Sequence, residues 1–130
     1  HVPLLTTDQE RDLKFWSHLG FEKKEDQPMN KPGEPIQRWL TASSKLNPDL
    51  QIILQDVTWG ADSGTIATRK NQVGQQPGFC FTSTHIERDR KLLQEAGATL
   101  LGEPTDEAWG KQLLFKDLCG NTHVVVELAK

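Results

Sequence analysis

At 130 residues the chain has the length of one domain, and with 25% charged and 35% hydrophobic residues it can bury a core without staples. A net charge of −3 with scattered Lys and Arg argues against a nucleic-acid partner, since a phosphate binder presents a basic face. No apolar run approaches the ~18 residues of a membrane span, no signal-peptide pattern is read, and Cys80 and Cys119 form no CxxC or metal spacing. Two free thiols in the cytoplasm are the expectation.

In chain order, "VPLL" (2–5) reads as a short strand and 7–21 as a helix of about three turns, with Leu13, Phe15, Trp16 and Leu19 at helical spacing. Thr7-x-x-Glu10 reads as its capping box and Gly20 as its left-handed stop. Strand-like segments follow at 21–26, 36–42 and 50–56. Residues 58–77 carry Gly60, Gly64, Gly74 and Pro77 and read as a linker that could act as a lid. Next come a strand at 78–81, a helix at 84–98 opened by Thr84-x-x-Glu87, and strands at 98–104, 111–117 and 122–128.

The chain repeats itself. "TDQERDLKFWSHLGF" (7–21) and "THIERDRKLLQEAGA" (84–98) share Thr, Glu, Arg, Asp, Lys and Gly at an offset of 77 without a gap. The expected architecture is α+β: a single domain of two βαβββ modules, 1–57 and 78–130, joined by the linker, forming a curved mixed sheet around a cleft. The twice-used "ERD" reads as an exposed salt-bridged helix face.

The strand followed by "DQERDLKFWSHLGF", then "RWLTA", "EAGATLLGEP" and the closing "FKDLCGNTHVVVEL" resemble the vicinal oxygen chelate superfamily of glyoxalases, bleomycin-resistance proteins and extradiol dioxygenases. The resemblance implies paired βαβββ modules, usually in a homodimer. It also implies metal-ligand positions near His1, Ile53, Phe79 and Val124. Of these His1 is the one plausible ligand; Gln51, Gln55 and His123 stand in neighbouring registers. Divalent metals want several convergent N or O donors, so no cofactor is expected. Leu118 and Cys119 stand where the family's closing turn usually has proline and aspartate.

Strand alternation puts Val124 and Val126 on the cleft side, with Phe79, Phe81 and Ile53, and leaves Trp39 as either core or cleft wall. His123, Val125 and Glu127 lean away, and Cys80 is expected to be inert core. Of four tryptophans, Trp16 is expected in the core, while Trp59 and Trp109 lie in Gly-flanked loops where they could line a pocket. Arg38, Gln37, Gln51, Gln55 and Gln112 are candidates to orient a ligand. His18 reads as a helix-dipole partner and His85 as solvated. The expected site is therefore Trp39, Ile53, Trp59, Phe79, Phe81, Trp109 and Val124 with Arg38 and Gln55. It would bind a small hydrophobic or aromatic molecule without metal or chemistry. Two alternatives stand: a divergent metal-dependent lyase, isomerase or dioxygenase using His1 with Gln55 or His123, and an interaction module whose cleft is filled by its own side chains.

Overall fold

The structure, a computed structural model, describes residues 1–60 and 62–129. The chain divides into two compact units, His1–Val73 and Gly74–Lys130.

In the first unit, β1 (Val2–Thr6) leads into α1 (Gln9–His18), then β2 (Phe21–Pro28), β3 (Arg38–Ser44), β4 (Asn47–Asp56) and α2 (Ser63–Gln72). The sheet order is β1-β4-β3-β2. β1 runs parallel to β4, and the other neighbours are antiparallel. The apolar stripe of α1 explains its docking on this sheet. Phe15 and Trp16 are buried with Leu4, Leu40, Ala42, Ile52 and Leu54, and Trp16 meets Phe15 and Phe21 edge-on at 5.1 and 5.5 Å. Truncating so buried an aromatic costs about 3–5 kcal/mol.

In the second unit, β5 (Cys80–Thr82) leads into α3 (Ile86–Ala96), β6 (Thr99–Leu100), β7 (Thr105–Glu107), β8 (Gly110–Lys116) and β9 (Thr122–Leu128). The order is β5-β9-β8-β6, with β7 also paired to β8. Again the first strand is parallel to the last. Ile86 and Leu93 anchor α3 over Leu113, Phe115 and Val125.

The repeat is structural, and its chemistry differs from the expected capping boxes. The caps are Asp8 and His85, one residue later than Thr7 and Thr84. Asp8 Oδ1 accepts from Arg11 N at 3.0 Å and His85 Nδ1 from Arg88 N at 3.3 Å. The preceding hydroxyls do a second job. Thr6 and Ser83 donate to the carboxylates of Asp12 and Asp89, and accept from the amides of Asp8 and His85 at 2.9 Å. The twice-used "ERD" is therefore not a free surface face. Its aspartate ties the helix to the end of the strand before it, and Asp12 is 2% exposed. Gly20 and Gly97 adopt φ of 97° and 94°, the left-handed stop that glycine supplies without steric cost.

Two elements depart from expectation. The linker holds a ten-residue helix, α2, capped by Asp62 through Thr65 N at 2.8 Å. It buries no side chain, so it has no apolar stripe for periodicity to register. The strand expected at 98–104 shrinks to β6, Thr99–Leu100, because the chain turns at Gly102, whose φ is 106°, and β7 forms beyond it at Thr105–Glu107.

Candidate functional site

In each unit one sheet face is taken by the helix. The other face is where a ligand would meet the sheet, and the registers say which residues it carries. In the first unit Thr41 pairs with Ile53, Pro3 with Ile53 and Leu5 with Gln55. The two-residue period then places Trp39 on the same face as Gln55. Glu25, opposite Thr41, belongs to it as well. Leu5, Thr41 and Ile53 are buried, while Trp39, Gln51 and Gln55 are half-buried.

The aromatic part of this face is built by two indoles. Trp39 and Trp59 stack with centroids 5.9 Å apart and planes 24° from parallel. Trp39 Nε1 donates to Glu25 Oε2 at 3.0 Å. His1 also lies against Trp39, at 5.7 Å between rings, with its Nε2 3.7 Å from Glu25 Oε1. Thr41 Oγ1 accepts from Glu25 N and donates to Gln51 Oε1, at 3.1 and 2.7 Å. Trp59 Nε1, by contrast, is buried and meets no acceptor among the described residues. An unmatched buried donor costs about 1–3 kcal/mol.

Arg38 does not serve this face. As the neighbour of Trp39 on β3 it points to the opposite face, and its guanidinium grips Asp26 through Nε and Nη2 at 3.0 and 2.8 Å and also pairs with Glu10 of α1. The hydrogen bond from Arg38 is the main reason that Asp26 falls to about 2. Asp26, then Glu10, pushes Arg38 further up. An arginine so engaged is a brace between α1 and β2. Gln37 is also committed: Nε2 donates to Thr58 O at 3.0 Å and Oε1 accepts from Gly60 N at 3.2 Å.

In the second unit the register corrects the expected phenylalanine faces. Cys80 pairs with Val124, Phe81 with Val125 and Thr82 with Val126. Phe79 and Phe81 therefore share the helix side with His123 and Val125, not the face of Val124. Phe79 stacks on His123 at 5.1 Å and Phe81 on Phe115 at 6.3 Å. The opposite face carries Cys80, Thr82, Val124, Val126, Leu114 and Gln112. Cys80 is exposed rather than core, and neither it nor Cys119 is in a disulfide. The expectation failed because it gave Phe79 and Phe81 the face of Val124, whereas the register sets Cys80 against Val124 and Phe81 against Val125. Trp109 sits in the turn between β7 and β8 and is 41% exposed.

His123 lies inside the second unit at 1% exposure. Phe79 N–H donates to its Nδ1 at 2.9 Å. That nitrogen must be unprotonated, so the proton sits on Nε2 and is donated to Asp117 Oδ2 at 2.8 Å. The other carboxylate oxygen, Oδ1, accepts from the amides of Cys119, Gly120 and Asn121 at 2.9–3.0 Å. Burial opposes the charge on Asp117, but the bonds from His123 and Asn121 outweigh it and hold the carboxyl below its ordinary value. Both ring nitrogens of His123 are thus occupied, so it is not the metal ligand considered above. Glu127 on the same side accepts from Ile86 N at 2.9 Å and caps α3.

Among the described residues the donors of a metal centre do not assemble. At the positions implied by the resemblance stand, besides His1, the apolar side chains of Ile53, Phe79 and Val124. The counterpart of His1 at an offset of 77 is Gly78, where even a Cβ would lie 1.6 Å from Thr122 O. His1 is engaged by Trp39 and Glu25. Among the described residues no three His, Cys, Asp or Glu side chains converge, and no helix is long and apolar enough to cross a membrane.

Comparison with known proteins agrees with this architecture. The uncharacterized protein YurT of Bacillus subtilis (strain 168) is 30% identical over 95% of this chain and 94% of its own length. The crystal structure of UcmS2 superposes with a TM-score of 0.81 at 25% identity, covering 97% and 94% of the two chains. TnmS3 of Streptomyces sp. CB03234, described as an antibiotic binding protein, gives 0.68 at 26% identity, covering 99% and 96%. A family model matches residues 1–125, and the chain belongs to the Glyoxalase/Bleomycin resistance protein/Dioxygenase superfamily.

Proposed function

We propose that this is a small-molecule binding protein that sequesters a flat, largely apolar or aromatic ligand on the Trp39–Trp59 face of its first sheet, without a metal. The observation that carries the reading is the stacked indole pair, with the Trp59 Nε1 donor buried and unmatched beside it. A ring laid on the indoles gains stacking worth ~0.5–1.5 kcal/mol beyond its area. A ligand burying roughly 200 Å² of apolar surface adds on the order of 5 kcal/mol before association costs. A ligand acceptor brought to Trp59 Nε1 recovers a bond the free protein lacks. Gln55 and Gln51 supply neutral polar contacts at the edge. The absence of convergent donors at Ile53 and Val124 supports binding over Lewis-acid chemistry, because oil stands where a metal-dependent relative needs ligands. The likeness to TnmS3, an antibiotic binding protein, supports the same class of activity.

The test is a panel of flat aromatic compounds titrated into chelator-treated protein, followed by tryptophan fluorescence and melting temperature. The reading expects at least one compound class to quench the indoles saturably and to raise the melting temperature. A panel that moves neither, or binding that appears only after a divalent metal is restored, contradicts it.

A further inference from the structure

We propose that Arg69 of α2 and Gln37, the residue just before β3, are the positioning residues that hold Trp59 against Trp39, so that the inter-module helix sets the geometry of the binding face. The inference rests on the reading of that face given above.

The loop from Val57 to Gly60 is held at every residue. Val57 N donates to Thr6 O at 3.1 Å. Thr58 donates from both its amide and its hydroxyl to Asp56 Oδ1, at 2.9 and 2.6 Å. Trp59 N donates to Asp56 O at 3.1 Å. These bonds close the turn from the β4 side. The outward carbonyls are taken by two side chains from elsewhere. Arg69 Nη1 donates to Trp59 O at 2.6 Å and to Val57 O at 3.3 Å, and Gln37 bridges Thr58 O and Gly60 N. With the peptide groups on both sides of Trp59 fixed, the indole keeps only its two side-chain torsions, and the stack on Trp39 selects among those.

The coupling runs both ways because α2 has little else to hold it. None of its side chains is buried, and isolated ten-residue helices are marginal in water. The Arg69 bonds to Val57 and Trp59 are therefore a principal tether of the helix to its unit. Loosening α2 frees Trp59, and fixing Trp59 under a ligand steadies α2. A planar guanidinium suits a position between two carbonyls, which a lysine ammonium reproduces in part.

Two indoles 5.9 Å apart couple their transitions, and the skew between rings tilted by 24° gives the coupled bands an exciton couplet in the far-ultraviolet circular dichroism. The couplet is defined as the difference between the protein and its Trp59→Phe variant. Arg69→Met is expected to lose most of it, and to weaken binding of the neutral probe N-phenyl-naphthylamine about tenfold, the equivalent of two ordinary hydrogen bonds. Gln37→Met is expected to weaken it about threefold, Arg69→Lys to retain part of the couplet, and Lys70→Met on the same helix to change neither signal. Should Arg69→Met fail to fold, Gln37→Met and Arg69→Lys carry the test with the same readouts. A full couplet in Arg69→Met and Gln37→Met overturns the positioning role. A lost couplet with unchanged probe affinity upholds the positioning role, and removes the indole pair as the binding face instead.

Discussion

The two units share a plan and spend it differently. Both run strand, helix and meander, and both tie the helix to the preceding strand through a hydroxyl–carboxylate pair at the same offset. That device is local: it needs residues six apart and a helix N-terminus, so duplication preserves it wherever the unit must fold. The faces away from the helices have diverged. The first carries stacked indoles with Gln51, Gln55 and Glu25 around them. The second carries Cys80, Thr82, Leu114, Val124 and Val126, a mostly small and aliphatic surface. The closing turns have diverged as well. The first unit turns through Lys45 and Leu46 on the surface, with Leu46 97% exposed. The second gathers its turn around a buried Asp117. What folds the unit is kept in both copies, and the faces away from the helices, one of them the proposed binding face, are not.

The largest expected effect lies in that turn. Asp117→Ala strands three backbone amides, Asn121 and His123 inside the second unit, and should cost about 3–5 kcal/mol by denaturant unfolding. A loss under 1 kcal/mol would mean that the turn is as superficial as its counterpart. Gly78→Ala should follow at about 2–3 kcal/mol, because its methyl group would collide with Thr122 O. Tolerance of alanine there would reopen the position to a side chain and weaken the contrast with His1.

Much of this was legible beforehand. The 77-residue offset, the helices and the order of the strands follow from apolar spacing and glycine stops, which are local signals. On the first face alternation along β4 placed Ile53, while Trp39 stood open between core and cleft wall and Gln55 needed the β3–β4 register to be placed. The misreadings share one cause. Phe79 and Phe81 went to the wrong face because β5 is only three residues long, too short for its register to be read without its partner β9. Arg38 and Gln37 looked free because nothing local announces Asp26, Glu10 or the Thr58–Gly60 backbone as their partners. The helix α2 was missed because it has no apolar stripe, and Arg69 with it. Long-range polar partnerships leave no periodicity.

A smaller effect separates the duplicated knots. Thr6→Val leaves Asp12, 2% exposed, without its hydroxyl donor, and should cost about 2 kcal/mol. Ser83→Ala acts on the more exposed Asp89 and should cost about 1 kcal/mol. Equal costs would erase the distinction in burial between the two copies. The smallest effect is the pH dependence of the Asp117 turn. Its folded carboxyl titrates below the ordinary 3.8, so its stabilising share is complete above that value and fades as the pH falls through the folded one. The stability gap between the protein and Asp117→Asn should accordingly narrow in acid. A gap that widens there would put the sign of the shift in doubt.

The most direct measurement of the central claim is the affinity of N-phenyl-naphthylamine for the protein and for Trp39→Ala, Trp59→Ala and Trp109→Ala, with chelator present throughout. The account predicts saturable binding that falls at least tenfold in Trp39→Ala and Trp59→Ala, and stays within about twofold in Trp109→Ala, since each 1.4 kcal/mol is a factor of ten. Binding that survives loss of both first-unit indoles, or that vanishes with Trp109 alone, would contradict it.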